Sequence, residues 1–163
     1  MKEVTVGVDI GGTNTKFGIV DREGNVLFQD SISTQGFEEF SDYLKGLSEA
    51  LRKGLHAPGA NYKLLVIGVG AANGNYYKGT IEHATNLKWK GIIPLAEMLR
   101  EEFNVPALVT NDANAAAVGE MVYGAAKGLK DFIVITLGTG LGSGLVANGQ
   151  LINGKHGIAG ELG

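Results

Sequence analysis

Three observations predict an α/β fold for this 163-residue chain. Strand-like and helix-like patterns alternate along it, as β β β α β α β α and then β β β. Residues 64–70 form a continuous apolar run, the mark of a strand buried on both faces. Two glycine-rich hairpins share one layout: apolar strand, Gly/Thr turn, glycine-containing strand, polar turn, third strand. The turns open at Gly11 and Gly138, and the span from Gly11 to Gly18 is one residue longer than that from Gly138 to Gly144.

The elements follow in order. Val4, Val6, Val8 and Ile10 alternate with Thr5, Gly7 and Asp9, a period-2 strand that puts Asp9 on the face opposite the valines. Residues 17–20 and 26–33 complete a three-stranded meander. Phe37, Phe40, Leu44, Leu47, Leu51 and Leu55 fall at helical spacing, and Gly54 with the stretch 56–59 is expected to end that helix. Residues 71–91 are polar, aromatic and glycine-bearing, a long excursion of the kind that carries function. Pro94 opens a helix with Leu95, Leu99 and Phe103 on its apolar face. A short strand at 107–110 runs into an alanine-rich helix ending near Tyr123, Lys127 and Gly128 close that segment, and 132–137 begin the second meander. A lobe boundary is placed near residue 117, giving lobes of 1–117 and 118–163. The second is too short for a stable half, so the chain reads as cut short.

Glycine makes up 26 of the 163 residues, about twice the average usage of about 7%. The glycines cluster at turns without a fixed period, which excludes collagen-like and low-complexity chains. A net charge of −3 and the absence of basic runs argue against nucleic acid or a membrane as partner. With no cysteine the chain has neither disulfide nor thiolate metal site, and no apolar stretch approaches membrane-span length. A soluble, cytoplasmic protein is expected.

Tight Gly-Gly-Thr turns let backbone N–H groups converge on an anion, because glycine accepts positive φ and has no Cβ to block approach. On this reading Gly11, Gly12 and Thr13, and likewise Gly138, Thr139 and Gly140, hold a polyphosphate from two sides. Neither turn is a P-loop or a dinucleotide fingerprint. Asp9 reads equally as a turn residue capping local N–H groups and as a Mg²⁺ ligand acting through water. Asn111-Asp112-Ala113-Asn114 stands where a strand ends and a helix begins. One cap needs fewer such residues, and a helix N-terminus favours an ionised carboxylate, which suits an acceptor for a hydroxyl proton in phosphoryl transfer. Glu161 lies between glycines in a loop, and His56, His83 and His156 have no metal spacing and read as surface residues.

Together these residues resemble the ROK family (repressors, open reading frames, kinases), which contains bacterial sugar kinases. The resemblance is carried by Asp9-Ile10-Gly11-Gly12-Thr13-Asn14-Thr15-Lys16 and by Asn111-Asp112-Ala113-Asn114-Ala115-Ala116. It continues in Gly138-Thr139-Gly140-Leu141-Gly142-Ser143-Gly144, in Ala159-Gly160-Glu161-Leu162-Gly163, and in Thr85-Asn86-Leu87-Lys88-Trp89, one residue shorter than the family's segment there. It implies the actin-like ATPase (ribonuclease H-like) fold, as a complete N-terminal lobe with the first strands of the second. It also implies the N-terminal half of an ATP-dependent hexokinase, most like a glucokinase.

By the same resemblance Asp112 takes the proton from the sugar hydroxyl, and Asn86, Asn111 and Glu161 bind other hydroxyls. Asp9, Lys16 and the two turns would hold Mg²⁺ and ATP. The family continues its Glu-x-Gly with a His and a cysteine-rich motif, so structural zinc is expected only beyond Gly163 and none within the chain. His156 lies upstream of Glu161 and does not replace that His. Ala71-Ala72-Asn73-Gly74 also lacks the family's proline. The 163 residues alone are therefore expected to have little kinase activity. The exposed apolar strands of 132–146 call for cover by another copy or a complementary segment, hence a homo-oligomer. The rival readings are a sugar-sensing ROK-type regulator without kinase activity, which would need a DNA-binding helix-turn-helix before the first strand, and an ATPase switch.

Overall fold

A computed structural model describes residues 1–137 and 140–160. The period-2 pattern at the start becomes β1 (Lys2–Ile10), with Val4, Val6, Val8 and Ile10 all buried. β2 (Asn14–Asp21) and β3 (Val26–Ser33) complete the antiparallel meander, with Gly7 opposite Gly18 and Ile10 opposite Thr15. After helix α1 (Phe40–Leu55), β4 (Tyr62–Ala71) joins β1 in parallel. The 71–91 excursion, with the two residues that follow it, then forms a small sheet from β5 (Gly74–Asn75), β6 (Thr80–Glu82) and β7 (Ile92–Ile93), which the sequence does not announce.

Helix α2 (Leu95–Phe103) leads to β8 (Ala107–Thr110), parallel to β4. Helix α3 (Asp112–Val122) then leads into the second meander, β9 (Phe132–Leu137), β10 (Leu141–Ala147) and β11 (Gln150–Leu151). The main sheet has the order β3-β2-β1-β4-β8, and β11-β10-β9 form a second sheet. Among the described residues no helix is long and apolar enough to cross a membrane.

One face of the main sheet carries the core. Val6, Val8, Ile67 and Val109 pack there against Tyr43, Leu47 and Leu51 of α1 and Leu95 and Leu99 of α2. Glu39 precedes α1 without a side-chain capping bond, an omission worth about 1 kcal/mol. Each buried Leu contributes about 1.5–3 kcal/mol, so packing and not capping holds the helix. The helix starts at Phe40, later than the spacing suggests, and its buried stripe runs Tyr43–Leu47–Leu51–Gly54. Phe37 stays outside it, with its ring edge-on to Tyr43. Gly54 does not end the helix. It is buried in the last turn, where a Cβ would come within 2.7 Å of the Phe28 ring.

The other face corrects the expectation for 64–70. β4 is central and its core-facing side is packed, but its other side is covered only near Gly70, where α3 lies against it, and is open around Gly68. Gly18, Gly7 and Gly68 stand in register across three strands, followed by half-exposed Leu108. A Cβ on Gly7 or Gly68 would meet nothing within 4 Å. An open trough of about 950 Å³ lies over this row.

Helix α3 bridges the two sheets through small residues. A Cβ on Gly70 of β4 would lie 3.2 Å from Ala115, and one on Gly144 of β10 would lie 2.5 Å from Ala117 and 2.7 Å from the Ala113 carbonyl. The alanines that mark this helix in the sequence allow that approach.

Candidate active site

The first turn is closed by the Gly11 N–H donating to the Asn14 carbonyl at 3.1 Å, and the Thr34 N–H donates to the Thr13 carbonyl at 2.9 Å. Positive φ is not what the glycines supply, since neither Gly11 nor Gly12 has it. Close approach is the reason instead. A Cβ on Gly11 would lie 2.8 Å from the Asn14 carbonyl oxygen, and one on Gly12 would lie 2.8 Å from that of Asn86. The turn and the 84–90 loop are therefore in contact, which brings the sequence-predicted Asn86 beside Gly12.

Asp9 sits at the carboxyl end of β1, paired with Gly70 on β4 and Lys16 on β2. Gly70 is also where α3 lands: a Cβ there would lie 3.5 Å from the Asp112 Cα. The register thus delivers two carboxylates from distant parts of the sequence into one cleft of about 380 Å³, lined by Asp9, Asp112, Gly70, Ala115, Ala116 and Thr136, among others. Burial raises the pKa of Asp9, the Asp112 charge adds to the rise, and Lys16 opposes it.

Asn111 caps α3: its side-chain oxygen accepts the Ala113 N–H at 2.8 Å and the Asn114 N–H at 3.4 Å. The Ala113 N–H also reaches Asp112 Oδ1 at 2.8 Å. The cap reading of this segment is thus observed, and it fixes the orientation of Asp112 at the helix's positive end. Asn114 is buried, and its Oδ1 has no hydrogen-bond partner among the described residues.

Gly140 is exposed at the start of the return strand, with nothing within 4 Å of a Cβ. Gly138, Thr139 and Glu161 lie outside the described residues. His56, His83 and His156 are exposed, as read from the sequence, and the described residues contain no cluster of three or more metal-ligating side chains. Thr136 is the cleft residue that the sequence reading missed. It stands two residues before Gly138, as Asp9 stands two before Gly11, so superposing the two hairpins would have found it.

Comparison with known proteins gives a consistent picture. A glucokinase from Halalkalibacterium halodurans is 39% identical over 161 residues, which cover 97% of this chain and 48% of that protein. A xylose repressor from Caldicellulosiruptor bescii is 32% identical over 161 residues, covering 97% of this chain and 40% of that protein. The crystal structure of a ROK family glucokinase from Streptomyces griseus in complex with glucose and AMPPNP superposes with a TM-score of 0.81 at 35% identity. It covers 98% of this chain and 49% of that one. The chain thus spans about half the length of the glucokinases it matches. Its fold is that of the actin-like sugar kinases. The ROK family model matches residues 5–163, and the chain belongs to the ROK family.

Proposed function

We propose that the protein containing this chain transfers the γ-phosphoryl group of ATP to a hydroxyl of a hexose, with glucose as the first substrate to test. The observation that carries the reading is the shared cleft. Asp112, at a helix N-terminus, lies with Asp9 at the carboxyl ends of parallel strands, beside a turn shaped by close backbone approach. In this reading the Asp112 carboxylate accepts the hydroxyl proton as the sugar oxygen bonds to the γ-phosphorus. The bond from that phosphorus to the bridging oxygen breaks, and ADP leaves.

Asn86, Asn111 and Glu161 orient the hexose, and the turns at 11–13 and 138–140 hold the phosphates, with Lys16 adjoining the first. The divide near residue 117 would separate the lobes that close on the substrates, and a homo-oligomer belongs to the same reading. A Mg²⁺ ion fits the site, because the neighbouring Asp112 charge adds to the raised proton affinity of Asp9 and a hard cation relieves that repulsion. Asp9 would hold it through water. When bound, the ion neutralises charge on the transferring phosphate.

Glucose-dependent release of ADP from ATP by the full-length protein tests the reading. Asp112→Asn is expected to lower kcat by about 10²–10⁴-fold without changing thermal unfolding, the range of a positioned base. Near wild-type turnover in that variant would overturn the assignment. The similarity to a xylose repressor favours a second reading, a sugar-responsive regulator. A full-length protein that binds glucose and releases no ADP would favour it.

A further inference from the structure

Tyr43 is wholly buried in α1, yet it is not an apolar residue. Its hydroxyl lies 2.8 Å from Thr15 Oγ1, and Thr15 Oγ1 lies 2.9 Å from Thr34 Oγ1, a chain of three buried hydroxyls. The backbone of Thr34 in turn donates to Thr13 at 2.9 Å, within the turn assigned to phosphate. The ring of Tyr43 has a partner of its own. It packs on Trp89 with centroids 4.5 Å apart, and the Trp89 Nε1–H donates to the Glu38 carbonyl at 3.1 Å. Lys90 Nζ donates to the Leu87 carbonyl at 2.8 Å and holds the 84–90 loop in its curl. That loop returns to the turn at the contact between Asn86 and Gly12.

The contacts therefore close a circuit: turn, Thr15, Tyr43, Trp89, Asn86, turn. A phenylalanine would fill the same core volume without the cost of burying a hydroxyl, a cost recovered only through a bond to a fixed partner. Here that partner stands directly after the phosphate turn.

We propose that Tyr43 is a positioning residue that sets the phosphate turn at 11–13 in register with the 84–90 loop, its hydroxyl holding the first and its ring the second. The inference rests on the assignment of the turn to ATP and of the loop to the hexose.

The test is steady-state kinetics of the full-length protein with ATP and glucose, together with amide hydrogen exchange of the ligand-free protein. Tyr43→Phe keeps the ring and removes the hydroxyl. It is expected to raise KM for ATP about fivefold, the worth of one ordinary hydrogen bond, with kcat and the glucose KM within about twofold. Exchange should quicken at 11–15 and not at 84–90. Thr15→Val removes the same bond from its other end together with the bond to Thr34, so adding Tyr43→Phe to it should cost nothing further. Trp89→Phe should raise the glucose KM instead.

An unchanged KM for ATP in active Tyr43→Phe protein, equal rises in both KM values, or unchanged exchange at 11–15 would overturn the proposal. If the wild type releases no ADP with glucose, the kinase reading fails. The exchange data then still decide the role of Tyr43.

Discussion

The two glycine-rich hairpins share a chain path and differ in what braces them. The β1–β2 hairpin backs onto the main core, where the Thr15 hydroxyl reaches Tyr43 and Thr34. Its return-strand glycine, Gly18, faces open space bounded by ordinary contacts, the nearest 3.4 Å away. The β9–β10 hairpin leans mainly on α3, with the Ser143 hydroxyl donating to the Gly160 carbonyl on its other side. Gly142 and Gly144 lie against Ala113 and Ala117, while Ile133, Ile135 and Leu137 on the other face are exposed. Matching layout in sequence thus does not mean matching support: one hairpin is held by buried hydroxyls and a core, the other by close backbone packing on the helix that carries Asp112.

The largest difference between the two should appear when each return-strand glycine is changed to alanine. Gly144→Ala would drive a Cβ into the Ala117 methyl and the Ala113 carbonyl, neither of which can swing away. A loss of about 1–3 kcal/mol in urea-unfolding stability is expected, the usual cost of overpacking. Gly12→Ala comes next, at about 1 kcal/mol, because the 84–90 loop can shift from the Asn86 contact. Its signature is faster amide exchange at 84–90. Gly18→Ala should be stabilising by about 0.5 kcal/mol, since alanine fits strand geometry and loses less entropy on folding. Equal losses for Gly18→Ala and Gly144→Ala would erase the distinction between the hairpins.

Local pattern carried most of the fold and only part of the site. The alternation of Val4, Val6, Val8 and Ile10 predicts β1 because one face is buried along its whole length. The apolar run at 64–70 locates β4, but periodicity cannot say what covers each face, and the glycine row leaves one face open around Gly68 while α3 covers it at Gly70. The leucine spacing marks the buried Leu47 and Leu51 correctly but runs on to Leu44, so it does not single out its buried neighbour Tyr43. The position of Asp112 at a strand–helix junction was legible, because cap-type residues follow a short apolar run there. The reason for Gly12 was not, because the carbonyl that excludes a side chain belongs to Asn86, far along the chain. Nor does the sequence state that Asp9 and Asp112 share a cleft, since Gly70 and the parallel register create that meeting.

Charge separates the hairpins more finely. Asp9 and Thr136 occupy matching places before their turns and line the same cleft, but only Asp9 can ionise. Burial and Asp112 raise its pKa above the ordinary carboxylate value of 3.8. Between that value and the higher folded one, the native state holds more proton than the unfolded chain. Stability therefore falls as pH rises through this window and stays lowered above it. Asp9→Asn removes the penalty. Its melting temperature should match wild type near pH 3, where both side chains are neutral, and exceed it at pH 7. Thr136→Val changes no charge, so its difference from wild type should be the same at both pH values. A pH-independent difference for Asp9→Asn would mean that Asp112 and burial do not bear on Asp9, and the two hairpins would then meet the cleft on equal electrostatic terms.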